Sequence, residues 1–379
     1  MHQRGIPATF MRGGTSKGLM ILEADLPSDI TAQDAILLAA MGSPDPNGRQ
    51  LNGMGGGLSS LSKACILGRS ARPEADVDYS FAQIAVGEAR VDRRGNCGNM
   101  SAAVGPFALD HGLVAADGDT ATVRIFNTNT AKHIHVTFPI ADGAACYDGP
   151  LAIPGVAGTG APIRLDFLDP GGASTGRLLP TGSATDSVDG ITVSMVDAAN
   201  ACILVGAADL GLQGNELPHE VEADPALMAR LAALRATAAV RMGIVPDETA
   251  AMALDTIPYL GLVSPPQPAL TLAGETLGAD AADLTVRFLA GGRVHRAIPL
   301  TTALCTAVAA RLPGTIAHTF VPADSHGRAL RLATPSGVIA ADAEVEQRDG
   351  HWHAVRGAFL RTARPLFEGR VLVPPGTGR

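Results

Sequence analysis

GNCGNMSAAVGPFALDHGLV, residues 95–114, is the stretch on which the architecture turns. Its middle, Met100–Leu109, is built from Ala, Val and other apolar or small residues and carries no charge. A helix over it would be apolar nearly all round and therefore internal. A second stretch of the same kind, TALCTAVAAR at Thr302–Arg311, lies in the other half of the chain and predicts a second buried helix. No short tandem repeat accompanies this weak two-fold echo. The echo implies an α+β chain of two halves, each with strands wrapped round a central helix.

Working outward, helix and strand signals mix throughout. Thr31–Met41 reads as a helix with Thr31 as its N-cap, and Pro225–Met242 as the longest helix, with Leu227, Leu231, Leu234 and Val240 near helical spacing. Val77–Val91 alternates like a strand until Gly87. Val123–Phe126 and Ile134–Phe138 predict two strands about the turn-rich NTNTAK. Pro170–Gly190, with DPGGASTG and LLPTGS, has the turn chemistry of a linker or a long surface loop. The boundary is placed there, giving domains 1–184 and 185–379.

At 379 residues, with 46% hydrophobic and 17% charged, the chain suits two folded domains. No apolar run reaches the roughly 18 residues of a membrane span, and the N-terminus lacks an apolar signal core, so a cytoplasmic protein without membrane association is expected. A net charge of −8 and the lack of a basic stripe argue against nucleic acid. Five scattered cysteines without CxxC or HExxH predict neither disulfides nor zinc. His133 with His135, and His351 with His353, are i, i+2 pairs read as strand-surface histidines rather than metal ligands.

Three segments carry the chemistry. Cys97 stands between two Gly–Asn pairs just before the predicted buried helix, where unpaired N–H groups bind anions and favour a thiolate. The same context also suits a small inert thiol in a tight turn. MRGGTSKG, residues 11–18, offers adjacent glycines, the hydroxyls of Thr15 and Ser16, and the cations Arg12 and Lys17, which together resemble a carboxylate or phosphate cradle. It lacks Walker spacing, and a solvated surface turn would look alike. In NGMGGGLSSLSKACIL, residues 52–67, Lys63 sits where a polar loop enters the apolar Ala64–Leu67. A lysine so placed can serve as a base, or simply snorkel to solvent.

Taken in order, MRGGTSKG, GMGGGLSSLSK, VDYSFAQ, GNCGN with AAVGPFALDHGLV, GVAGTGAPIRLDFLDP, LLPTG, ARLPGT and LRTARPLFEG resemble the PrpF family over nearly the whole chain. That family resembles diaminopimelate epimerase. The resemblance implies two similar domains, each a β-barrel-like sheet around a central helix, with the site in the cleft between them. It implies an isomerase that needs no cofactor and moves a proton along a small unsaturated di- or tricarboxylate such as 2-methylaconitate or methylitaconate. The family's catalytic pair falls on Lys63 and Cys97. Its substrate-cradling positions fall on Thr15, Ser16, Lys17, Ser60, Gly98 and Asn99. In the second domain they fall on Asn200, although Ala201 and Cys202 replace the usual neighbours.

The second cysteine of the epimerases would fall near Thr301 and Thr302, where only hydroxyls are present. These join the expected substrate contacts, and Cys305 is read as packing. A two-cysteine racemase is thereby disfavoured, leaving Lys63 as the second proton-transfer group. The expected partner is a small polycarboxylate, and a homodimer is left open. Two readings stand beside this one. A keto–enol tautomerase of the 4-oxalomesaconate type is disfavoured because GNCGN and Asn127–Thr130 stand where such enzymes tend to carry QNCGN and Met-Glu-Asn-Thr. A non-catalytic polycarboxylate-binding accessory protein is disfavoured by the intact Lys63 and Cys97.

Overall fold

The structure is a computed structural model that describes residues 3–378 apart from Arg94, Asp255, Thr256, Gly291 and His326. The chain is α+β and divides into two compact units. The first comprises residues 1–166 with 360–379, and the second 167–359.

In the first unit, β1 (Arg4–Gly13) and β2 (Ser16–Leu22) form a hairpin, and β3 (Lys63–Arg69) runs parallel to β2 with Gly18 opposite Lys63. β4 (Val77–Ile84) is antiparallel to β3, with Gln83 opposite Lys63, and is followed by the short β5 (Val91–Asp92). β6 (Thr120–Asn127) and β7 (Lys132–Ala141) make the hairpin about NTNTAK, and β6 lies parallel to β4. The C-terminal strand Ala363–Val373 pairs antiparallel with β1, from Arg4↔Val373 to Gly13↔Ala363. Twenty distant residues therefore belong to this unit.

Strand alternation sends the side chains of these strands to two faces. On one face Leu19, Ile21, Ala64, Ile66, Ala82 and Ile84 bury against α1 (Ile30–Met41) through Ile36, Leu37, Ala40 and Met41. The N-cap of α1 is Asp29, whose Oδ1 accepts the Ala32 N–H at 2.8 Å, and not Thr31. A carboxylate two residues earlier takes the orphan donor, so Thr31 lies inside the first turn. The other face receives α2 (Gly98–Asp110), which packs on β1, β2, β3, β6, β7 and the C-terminal strand. All its side chains from Met100 to Leu109 are buried. Gly105 is required by this packing, since a Cβ there would lie 2.8 Å from the Phe138 ring.

The second unit is also built of strands with helices packed on them. Strands Asp186–Val188, Ile191–Ala198, Asn200–Gly206, Tyr259–Ser264, Leu284–Ala290, Leu330–Thr334 and Gly337–Arg348 pair in that order, and His351–Arg361 adds to the last of them through Phe359. After α3 (Pro218–Glu222), the amphipathic α4 (Pro225–Arg241) packs Leu231, Leu234 and Ala238 on one face, with α5 (Glu248–Ala253) beside it. α6 (Leu300–Ala309), buried along its length, packs against Ile191–Ala198, Asn200–Gly206 and Gly337–Arg348.

The passage read as a linker, Pro170–Gly190, lies within the second unit. Asp197 Oδ2 accepts the Ser174 N–H (2.7 Å), the Thr175 N–H (2.6 Å) and the Thr175 hydroxyl (2.9 Å). A buried carboxylate thus fixes the DPGGASTG turn, and Asp186–Val188 already forms a strand. The unit limits at 166/167 and 359/360 accordingly differ from the boundary read near residue 184.

Candidate active site

Cys97 is the N-cap of α2, two residues earlier than the apolar run alone indicates, so Gly98 and Asn99 occupy the first turn. Among the described residues, no side chain caps this end. The first N–H groups of a helix have no partner within it, so they are available to an anion. Cys97 is half-buried, and its Sγ lies 3.9 Å from Ser16 Oγ.

The β1–β2 turn packs directly on this helix end. A Cβ on Gly13 would sit 2.6 Å from the Asn99 carbonyl oxygen. One on Gly14, whose φ is +51°, would sit 2.2 Å from Asn99 Oδ1. The adjacent glycines of MRGGTSKG are thus explained by close backbone approach. Asn99 Oδ1 accepts the Thr15 N–H at 3.4 Å and Arg361 Nε–H at 3.3 Å. Arg361, absent from the residues singled out in the sequence, is 6% exposed, and burial pulls its guanidinium down to about 10. Its place beside Asn99 comes from the pairing of distant strands, and LRTARPLFEG contains it without marking a role for it.

Lys63 begins β3 on the face that α2 covers. It is 8% exposed, its Nζ donates to Gln83 Oε1 at 2.5 Å, and it lies 5.1 Å from the Phe81 ring centroid. Cys65 follows on the same face, fully buried, with its Sγ 3.7 Å from the Tyr79 hydroxyl. Burial pushes the Cys65 thiol up, the Tyr79 hydrogen bond opposes this, Cys97 adds to the rise and Lys63 draws it back. Tyr79 is likewise raised, by burial and then by the two cysteines. Lys63 and Cys97 therefore both bear on one buried thiol.

Ser60 is half-buried in the single turn Ser59–Leu61 that leads into β3. Lys17, by alternation, leaves β2 on the face opposite Ser16, and its Nζ lies over the Phe10 ring at 5.7 Å. A cavity of about 270 Å³ opens at the hairpin end, lined by Arg12, Thr15, Ser16, Lys17, Leu61, Leu366 and the loop 155–157. It offers two cations and two hydroxyls, and its lining contains no carboxylate. Burial, then Arg364, lowers the Arg12 guanidinium, whose Nη1 donates to the Gly14 and Thr362 carbonyls.

In the second unit, Asn200 Nδ2 donates to Thr301 Oγ1 at 2.6 Å, which brings two of the expected contacts together at the start of α6. Thr302 has no exposed surface, and its hydroxyl donates to the Pro299 carbonyl at 2.8 Å. Cys305 is fully buried and its thiol is directed to the Val196 carbonyl at 3.4 Å. Burial, then Cys305, raises the Cys202 thiol. Among the described residues, no three His, Cys, Asp or Glu side chains are grouped to hold a metal ion, and no helix is long and apolar enough to cross a membrane.

Known proteins parallel this chain along its length. It is 37% identical over 385 residues to the 2-methyl-aconitate isomerase of Shewanella oneidensis, covering 97% of each chain. It is 40% identical over 370 residues to the (4E)-oxalomesaconate Delta-isomerase of Novosphingobium sp. strain KA1, again covering 97% of each. The crystal structure of a methylitaconate-delta-isomerase superposes with a TM-score of 0.89 at 38% identity, covering all of this chain and 98% of that one. A hydroxyproline epimerase from Agrobacterium vitis, with a TM-score of 0.54 at 13% identity over 99% and 95% of the two chains, shares the fold alone. With a family model described as PrpF protein matching residues 3–374, the chain belongs to the PrpF family.

Proposed function

We propose that this chain isomerises a small unsaturated di- or tricarboxylate of the methylaconitate or methylitaconate kind, by proton transfer through Lys63 and Cys97 and without a cofactor. The observation that carries this is the uncapped N-terminus of α2. It presents the Cys97 thiol and free N–H groups beside Ser16 and Asn99, on the face from which Lys63 projects. Each unit is proposed to be a barrel-like sheet about its apolar helix, which is why α2 and α6 are buried along their lengths.

A C–H next to a conjugated carboxylate is a weak acid, so its removal requires that the developing enolate charge be held. The first-turn N–H groups at Gly98 and Asn99 supply that, with Thr15, Ser16 and Ser60 as further donors. One member of the Lys63–Cys97 pair takes the allylic proton. The electron pair shifts along the conjugated system, and a proton returns to the far carbon from the other member or from the same one. Substrate and product are isomers, so no net proton is consumed; where the two groups differ, their exchanged protonation states are restored through solvent before the next turnover. Against a net charge of −8, the cations Arg12 and Lys17 provide the local attraction for a polyanion. In the second unit, Asn200 and Thr301 are the proposed further contacts, while Thr302 acts only by holding the start of α6.

Ultraviolet spectra recorded with methylaconitate, methylitaconate, aconitate and oxalomesaconate test the reading. One of these acids should change spectrum with wild-type protein, and Cys97→Ser and Lys63→Ala should each lose most turnover while still binding it. Product formed in D2O should carry label at the newly protonated carbon unless one group carries the proton across shielded from solvent. Near-normal rates in both variants would falsify the pair. A shift in melting temperature with no spectral change from any acid would instead mark a binding protein.

A further inference from the structure

Of the 29 basic side chains in this protein, only three are lysines: Lys17, Lys63 and Lys132. Arginine keeps its proton throughout the accessible pH range, so lysine is the basic residue that can release one. A nearly buried ammonium ordinarily requires a carboxylate beside it. At Lys63 the hydrogen-bond acceptor is neutral: Gln83 Oε1, at 2.5 Å, with the Phe81 ring 5.1 Å away. Among the described residues, no carboxylate pairs with it.

The orientation of the Gln83 amide is forced. Its Nε2 donates to the carbonyls of Ser59 and Ser62, each at 3.0 Å. Turning the amide over would set an oxygen against two carbonyls and an NH2 against an ammonium. The Ser59 and Ser62 carbonyls belong to the Gly-rich segment that contains Ser60, so one side chain ties that segment to the aim of the lysine. An amide oxygen accepts from an ammonium and, more weakly, from an amine, so it favours the charged lysine without fixing it in that form. A carboxylate in its place would hold the lysine charged.

We infer that Gln83 is the positioning residue for Lys63, aiming its Nζ and leaving it able both to give and to take a proton. This rests on the reading of Lys63 as half of the acid–base pair. Among the described residues, the titratable groups nearest Lys63 are Cys65 on its own strand, which in turn meets Tyr79 on β4 and bears on Cys97 at the start of α2, and Asp92. Asp92 stands opposite Gln83 on β5 and pairs with Arg90 at 3.6 Å.

Three lysines give three ε-carbon signals in a protein labelled with 13C-lysine, and Lys63→Ala identifies the one that matters. Its titration is followed in wild type, Gln83→Met and Gln83→Glu, alongside pH profiles of kcat. Gln83→Met, which leaves the ammonium without its acceptor, should move the Lys63 titration and the matching limb of the kcat profile to lower pH. Gln83→Glu should move both to higher pH. Both variants should lose about tenfold or more in kcat with little change in KM. Opposite shifts are not produced by a merely structural glutamine. Unshifted titrations, or shifts in one direction, overturn the inference. If Gln83→Glu does not fold, Gln83→Asn replaces it: the same amide falls short of Nζ and must shift the titration as Gln83→Met does, and an unshifted Gln83→Asn overturns the inference. An inactive Lys63→Ala with unshifted Gln83 variants sinks this inference alone, whereas Lys63→Ala with full turnover sinks the acid–base reading on which it rests.

Discussion

Replacing Gly14 by Ala tests whether the hairpin turn holds the start of α2. Two costs arise. At φ +51° an L-residue pays about 1–2 kcal/mol for the left-handed conformation. The new Cβ would also lie 2.2 Å from Asn99 Oδ1 and 2.9 Å from its Cγ, so Asn99 must move. Moving it breaks the hydrogen bonds from the Thr15 N–H and from Arg361 Nε, at 3.4 and 3.3 Å. Both are long, so together they contribute about 1–2 kcal/mol. Gly143→Ala isolates the second cost, since Gly143 has φ +76° and nothing within 4 Å of its added Cβ. For a unit of this size 1 kcal/mol corresponds to roughly 2–4 °C. Gly14→Ala should therefore melt about 2–8 °C below Gly143→Ala, and should lose at least about tenfold in kcat through misplacement of the helix start. Calorimetry and an isomerase assay on the two variants decide it. Equal melting temperatures with wild-type turnover in Gly14→Ala would refute the argument.

Other outcomes follow from single contacts. Arg361→Met should lower kcat/KM about tenfold by removing a charged donor from Asn99, and an unchanged kcat/KM counts against that contact. Burial opposes the charge on Asp283, but Arg328 and Arg331 outweigh it and hold the carboxyl well below the usual range. Its stabilisation is then present above the unfolded value of about 3.9 and lost as pH falls below it. Urea midpoints at pH 7 and about pH 3 should therefore differ more for wild type than for Asp283→Asn, and equal differences contradict this. Asp197→Ala should free the turn at residues 172–177, so that trypsin cleaves after the already exposed Arg177 faster than in wild type, as read by mass spectrometry; equal cleavage rates contradict this. Cys305→Ala should keep turnover within about twofold, because its thiol is spent on packing; a large loss would restore it as a second proton carrier.

The two apolar helices were legible because their composition leaves no polar face, and burial of α2 and α6 follows from that alone. The NTNTAK hairpin was legible because turn residues separate two alternating runs. The limits of the units were not. Proline and glycine at residues 170–190 look like a linker until Asp197, more than twenty residues from the turn it holds, is seen to fix it. Around the site, Lys63, Cys97 and the glycine pair could be named from local motifs. Gln83 and Arg361 stand in the motifs VDYSFAQ and LRTARPLFEG, but their roles could not be read there, because each meets its partner across a strand pairing or a helix end that no local pattern encodes. Lys17 shows the converse limit. A motif lists it beside Ser16, yet strand alternation sends the two side chains to opposite faces.

The pairing of Ala363–Val373 with β1 has a consequence for synthesis. Translation adds about 5–20 residues per second, so the chain emerging after residue 166 waits roughly 10–40 s before residue 360 appears. That interval is the synthesis of the second unit, one contiguous run ending at Phe359. The β1 edge, with Ile6 and Phe10 beside it, stays without its neighbour strand. The half that carries Lys63 and Cys97 is thus begun first and finished last, and a released chain truncated before residue 363 should hold a folded second unit and an open first one.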